Sequence, residues 1–206
     1  MQKKSIGFGT RGTLLMIYQV FAYAGYTAFT NFPQNVMSQF YGGTTTTTLM
    51  NLIGGIVGYL ITYFIIAPRI GRIKNMKRVG IMIGIVALVF CALICVIPPT
   101  KAALWCIAFV LVLITTQIWG CFFVTMLIGN WFPRRKGTVM GIVTIAFPIV
   151  TGICLNLFMI QFYGLLGRGA SLLVATVSSF SPYWILSLLG IIMCAIFLKD
   201  FPEQVG

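Results

Sequence analysis

The sequence has no histidine and only two acids, Asp200 and Glu203, both in its last seven residues. Only 8% of its 206 residues are charged. A water-soluble domain carries about a quarter, and a water-facing surface cannot be built from so little charge. Without histidine, and without a carboxylate in any apolar run, the chain has no base for a nucleophile, no carboxylate pair and no mixed metal-ligand set. An enzyme is therefore not expected, nor a metal or other cofactor. Six cysteines are present, Cys91, Cys95, Cys106, Cys121, Cys154 and Cys194, all inside apolar runs and without a C-x-x-C pair. They read as small hydrophobes.

What the chain does have is long apolar runs: 59% of it is hydrophobic. A spanning helix needs about 20 mostly apolar residues. Charges and breakers divide the chain into six candidate spans at 13–31, 46–68, 79–98, 102–130, 138–164 and 183–198. NFPQN (31–35) and YGGTTTTT (41–48) separate the first two, Pro98-Pro99 closes the third, and the Gly- and Ser-bearing stretch 165–182 reads as a loop. The expected fold is all-α: a polytopic membrane bundle over 1–198 with a short tail, 199–206. Lys3-Lys4 followed by an apolar run and Ala22-Tyr23-Ala24 has the outline of a cleavable leader. The run continues through Phe29, long enough to span.

The formal charge is +12, yet no nucleic-acid-reading motif accompanies it. The bases sit in short connectors between apolar runs, so nucleic acid is not an expected partner. Lys3, Lys4 and Arg11 precede span one. Arg69, Arg72, Lys74, Lys77 and Arg78 lie between spans two and three. Arg134, Arg135 and Lys136 lie between four and five, and Lys199 follows six. With six spans all of these fall on one face, leaving Lys101 and Arg168 on the other. Positive connectors stay in the cytoplasm. The expectation is a multi-pass plasma-membrane protein with both termini cytoplasmic, its basic loops meeting lipid head groups and water.

Polar side chains are unevenly shared among the spans. Gln19, Tyr23, Tyr26 and Thr30 recur along one face of span one. Span two carries Asn51, Tyr59 and Thr62; span four carries Thr115, Thr116 and Gln117; span five carries Thr144, Thr151, Asn156 and Gln161. Spans three and six carry almost none. Hydrocarbon offers polar groups no hydrogen-bond partner. Spans one, two, four and five should therefore line an interior while three and six face lipid. The order, two polar-striped helices and then a plain one, occurs twice, as a three-plus-three repeat would require. Interhelical hydrogen bonding alone is the other reading of those groups. Gly54/Gly58, Gly80/Gly84 and Gly137/Gly141, each four apart, are expected at close helix contacts. Pro148 interrupts span five.

The stretch NWFPRRKGTVMGI (130–142) resembles the segment after the fourth helix in the major facilitator superfamily, most of all in its oxalate/formate antiporter and monocarboxylate-type branches. There a W-F-P-x-[KR]-[KR]-G-x-x-x-G pattern is common. The tail LKDFPEQVG resembles the start of those branches' central loop. APRIGRIKNMKR is similar to the superfamily's loop signature, which Arg69, Gly71 and Arg72 match. Phe64 and Pro68 stand where that signature has Gly and Asp, so the inward-gate latch implied by the Asp lacks its acid here. FPIVTG (147–152) matches only the Pro and last Gly of the G-P-x-x-G-G element of superfamily antiporters. The resemblance implies half of a twelve-helix fold, the N-terminal six, completed by a C-terminal six-helix half or a second six-span chain. It implies a secondary transporter of a small solute, a small carboxylate in those branches. Substrate contacts would come from Gln19, Tyr23, Tyr26, Asn51, Thr116, Gln117 and Asn156, and Arg69, Gly71, Arg72, Arg134, Arg135 and Lys136 would form the loop motif. Those side chains bring no membrane charge, so for a small carboxylate a balancing cation would come from the other half, while a neutral substrate or passive uniport is equally allowed. A non-transporting six-span structural or assembly subunit is the alternative, and the downstream coding sequence discriminates the two.

Overall fold

Asn75 shows how the helices of this chain are bounded. Its side-chain oxygen accepts from the Arg78 backbone N–H at 3.1 Å, satisfying a donor that a helix start leaves orphaned. The helix it opens, Met76–Val96, runs without interruption to Ile97, an extended residue ahead of Pro98. Replacing Asn75 with Ala is expected to lower stability by about 1 kcal/mol, read as a lowered midpoint of unfolding in mild detergent.

The computed structural model describes residues 9–21, 44–72, 75–97 and 101–198. All regular structure among them is helical: α1 (10–21), α2 (Thr44–Leu60), α3 (Met76–Val96), α4 (Ala102–Gln117), α5 (Val124–Trp131), α6 (Lys136–Gly167), α7 (Leu172–Ser179) and α8 (Ser181–Phe197). α2 continues through a π-helical segment, Ile61–Ile66, into a 3-10 segment, Ala67–Arg72. α4 and α5 are joined by a second π-helical segment, Ile118–Phe123, into one apolar stretch. Four helical stretches are long and apolar enough to cross a membrane: Leu52–Arg69, Met76–Val96, Ala103–Trp131 and Lys136–Gly167. The pair α7 and α8, bent by 42°, makes a fifth if it is one span. Most of expected span one, with the connector after it, and the tail at 199–206 lie outside the described residues.

The stretch expected as a loop at 165–182 is mostly helix. α6 runs on to Gly167, and its end is closed by Gly169 (φ 77°). Ala170 N–H donates to the Leu165 carbonyl and Gly169 N–H to that of Leu166, both at 3.0 Å, which is a Schellman closure. Ser171 then accepts from Val174 N–H and starts α7 at once. Ser171 and Gly169 are caps, not linker, and the chain bends between α7 and α8 at Phe180.

Glycines set the helix contacts. A β-carbon at Gly54 would lie 2.6 Å from Leu113 Cδ1, and one at Gly58 would overlap Gln117 Oε1. α2 therefore runs beside α4 in the same direction. Gly80 faces the Phe123 ring and Gly84 faces Trp119 and Ile191, so α3 runs opposite to both α4 and α8. In lipid, helices associate by van der Waals packing rather than by escape from water, and small residues allow it. Two of the three expected glycine pairs do this. Gly137 and Gly141 do not: nothing lies within 4 Å of a β-carbon at either.

Two core clusters stack along the bundle. One joins Cys91, Ile94 and Cys95 of α3 with Trp105–Leu113 of α4, Cys154, Phe158 and Phe162 of α6, and Phe180 and Tyr183. The other joins Leu15 and Tyr18 of α1, Met76 of α3, Trp119–Phe132, Val139 and Val143 of α6, and Cys194 of α8. At the far end of the second cluster lie Arg11, Arg69, Lys77, Arg78, Arg134, Arg135 and Lys136, each beside a helix terminus there. Lys101 and Arg168 flank the first cluster, at the opposite end. Met82, Val89 and Val96 on α3, and Ile185, Leu188 and Ile196 on α8, are exposed, but so are Leu52, Ile56 and Phe64 of span two and Ile145, Ile153 and Ile160 of span five, so the division into lipid-facing spans three and six and interior-lining spans two and five does not hold. The inner face of α3 is not idle, since its Gly80, Gly84, Ala87 and Cys91 pack against α4 and α8.

Candidate functional site

Gln19 on α1 is fully enclosed, 0% exposed, and among the described residues neither end of its amide has a hydrogen-bond partner. An unsatisfied buried polar group costs about 1–3 kcal/mol, more in an environment without water. Its depth follows from its neighbours. Phe21 lies beside Gly190, against which Trp119 also packs, and Tyr18 lies beside Trp119 and Cys194. Gln117 is two residues before Trp119, a rise of about 3 Å. Gln19 and Gln117 thus share one level, near the junction of the two core clusters.

At that level α4 is irregular. Thr116, 0% exposed, donates to the Val112 carbonyl at 2.6 Å and approaches that of Leu113 at 3.3 Å. Thr115 donates to Leu111 at 2.8 Å. These back-bonds disturb the helix ladder, and the π-helical segment begins immediately after, at Ile118. Gln117, also buried, sets its oxygen against Gly58 of α2. One turn beyond Gly58, Thr62 is buried with no partner for its hydroxyl among the described residues, inside the other π-helical segment. Both helices of this parallel pair therefore widen beside one contact. Such bulges gather at functional sites. Sequence reasoning had Thr62 on the polar stripe of span two but not among the contact residues. The missed signal was its i, i+4 spacing from Gly58.

The remaining expected contacts separate. Asn156 is exposed on the outer face of α6, in line with Ile149, Ile153 and Ile160, and donates to the carbonyl of Gly152 at 2.8 Å. This corrects the expectation for Asn156, and Thr144 and Gln161 are exposed as well, whereas the Thr151 hydroxyl is buried; the rest of the inner face of α6 is Val139, Val143, Cys154, Phe158 and Phe162. Tyr23 and Tyr26 lie outside the described residues. Asn51 lies on α2, and of its side chain, as of Gly71 and Arg72, nothing is described. Ser187 of α8, the polar residue of span six that sequence reasoning did not count among the contacts, is 0% exposed and its hydroxyl has no partner among the described residues.

The loop motif is a well-defined turn. Trp131 and Phe132 are buried, ending α5 as anchors. Pro133 cannot continue the helix. Arg135 N–H donates to the Phe132 carbonyl at 3.1 Å, and α6 starts at Lys136, with Arg134, Arg135 and Lys136 exposed. Arg69 caps its own helix, its guanidinium donating to the Ile65 carbonyl at 2.7 Å. Replacing Arg134, Arg135 and Lys136 together with Gln is expected to disturb membrane orientation more than function per correctly inserted molecule. Cysteine-accessibility mapping of the α5–α6 turn measures the first. Normal orientation with lost function would reverse that ranking.

Among the described residues no three His, Cys, Asp or Glu side chains gather as a metal ion would need. No family model matches the chain, and no curated protein or solved structure matches it either. The class established by the fold is an all-helical protein with four or five helices fit to cross a membrane.

Proposed function

We propose that this chain is the N-terminal six-helix half of a secondary transporter of major facilitator type, in the plasma membrane with both termini cytoplasmic, moving a small solute such as an organic carboxylate by alternating access. The observation that carries the reading is the enclosed, unpartnered amide of Gln19 at the level of Gln117 and the two π-helical segments. Ground-state protein stability gains nothing from such a group, whereas a solute with hydrogen-bonding oxygens would.

The helix pairing supports a three-plus-three repeat. A two-fold relating spans 1–3 to 4–6 maps the α3–α8 contact onto itself. It maps the parallel α2–α4 pair onto α6 and α1, whose Val139, Val143, Leu15 and Tyr18 share one cluster. The open outer faces of α2 and α6, with exposed Tyr59, Tyr63 and Asn156, suit a second six-helix unit. Substrate would meet Gln19, Gln117 and Thr62 by hydrogen bonds, while the coupling charge would come from that second unit.

The test is uptake into proteoliposomes holding the chain together with its second half. Radiolabelled small mono- and dicarboxylates are offered against preloaded counter-substrate, with neutral solutes as a parallel series. Saturable counterflow of one class is expected. Folded, correctly oriented protein that moves none of them would favour the non-transporting subunit.

A further inference from the structure

Of the solutes that the transporter reading allows, we infer that the one bound by this chain is neutral and polyhydroxylic, an inference that rests on that reading. The Gln19 amide fixes the hydrogen-bonding class. Its Nε2 and its Oε1 are both enclosed, and neither has a partner among the described residues. A group that satisfies both must donate as well as accept. A carboxylate only accepts. It would serve Nε2 and leave Oε1 turned toward a negative charge, whereas a hydroxyl serves either end.

Two hydroxyls lie near that amide. Thr62 is 6% exposed and Ser187 0%, and neither hydroxyl has a partner among the described residues. By contrast, Thr115, Thr116, Thr125 and Thr144 each donate to the carbonyl four residues before, the usual recourse of a helical hydroxyl in hydrocarbon. Thr62 lies one turn beyond Gly58, which faces the Gln117 oxygen, and Gln117 is two residues before Trp119. Ser187 lies one turn before Gly190, which packs on Trp119 and on Phe21, two residues past Gln19. Counted from these contacts by helical rise, Gln19, Thr62 and Ser187 fall within about 8 Å of one another along the bundle axis, the reach of an extended polyol. Charge settles the rest of the class. No Asp, Glu, Lys, Arg or His occurs at 12–68, 79–100, 102–133, 137–167 or 169–198, so no span of this chain offers an ion pair. An ion drawn into such a layer gives up its hydration for neutral amides and hydroxyls, while a polyol exchanges hydrogen bonds to water for hydrogen bonds to protein. A neutral solute also needs no balancing cation from the second unit.

The experiment is counterflow in proteoliposomes holding the chain together with its second half, with erythritol, threonate and succinate offered separately, each against its own preload. The three share one carbon backbone and differ in charge and hydroxyls. Erythritol is expected to exchange roughly tenfold faster than either acid, or more. Ser187→Ala and Thr62→Val each remove one hydroxyl and should lower erythritol exchange about fivefold to tenfold. Thr144→Val, at an exposed hydroxyl of α6 bonded to its own helix, should leave it unchanged. Two site variants are used so that misfolding of one, seen as a collapsed thermal midpoint in detergent, leaves the other to decide. A smaller preference for erythritol, or a faster acid, would overturn the neutral class and leave the transporter reading standing. Erythritol exchange that both site variants leave at the parental rate, or that Thr144→Val lowers to the same degree, would overturn its seating. Folded, correctly oriented protein that exchanges none of the three would overturn the transporter reading and the inference together.

Discussion

Gly58→Leu is expected to leave little correctly folded protein, while Gly141→Leu, in the same membrane and with the same side chain, leaves the fold intact. At position 58 a β-carbon alone overlaps Gln117 Oε1, and the Ile114 Cα lies 3.8 Å away, so backbone as well as side chain stands behind the contact. Gln117 can swing aside only by exposing its amide to hydrocarbon or pushing into the π-helical segment that follows it. Overpacking a tight contact costs about 1–3 kcal/mol, and the displaced amide adds a similar amount. Gly80→Leu is expected to be nearly as severe, because it meets the buried Phe123 ring, with a carbon 2.6 Å away. At Gly141 there is open space, and leaving Gly for a better helix former contributes up to about 1 kcal/mol. Fluorescence-detected size exclusion after a heating series ranks the three. Equal midpoints for the Gly58 and Gly141 variants would mean that α2 and α4 do not meet as described.

That contrast also marks where the sequence was legible. The chain's membrane character follows from the scarcity of charge around long apolar runs, and the runs place the third helix at 79–98 against Met76–Val96 in the structure, the start missed by three residues because the Asn75 cap was not read. The glycine pairs at 54/58 and 80/84 were found by spacing, but the same spacing at 137/141 misled. Spacing says that a helix has a small-residue face; only the neighbours decide whether anything comes close. The polar composition of 165–182 suggested a loop because Ser171 and Gly169 were counted as loop-formers, when each is a single cap between helices.

The site divides in the same way. Burial of Gln19, Thr116 and Gln117 follows from the cost of polar groups in hydrocarbon, which the sequence pattern already expresses. The π-helical segments do not follow. The one at Ile118–Phe123 lies where back-bonding threonines, the Gly58 contact and bulky Trp119 and Phe123 come together, which no local pattern records. Asn156 shows the limit from the other side. An amide that bonds to its own helix at 2.8 Å no longer has to point inward, so the period that put it on an inner face loses its force.

Gln19→Leu should separate stability from transport. Leucine has a similar size and no polar atoms, so it removes two unpartnered groups from an enclosed site. Replacing an unsatisfied polar group with an apolar one of like shape is neutral or stabilising, here by up to about 2 kcal/mol. The thermal midpoint in detergent should therefore hold or rise. If Gln19 donates to or accepts from solute, the same change loses at least one hydrogen bond at the point of binding, and counterflow falls about tenfold or more. Gln19→Asn keeps the amide one methylene short and should transport more than Leu while being less stable than it. Function and stability moving in opposite directions across Gln, Asn and Leu is the signature of a binding amide, because a purely structural residue moves both the same way. A leucine variant that is destabilised and transports per folded molecule as the parent does would show that Gln19 has a protein partner and no part in solute binding.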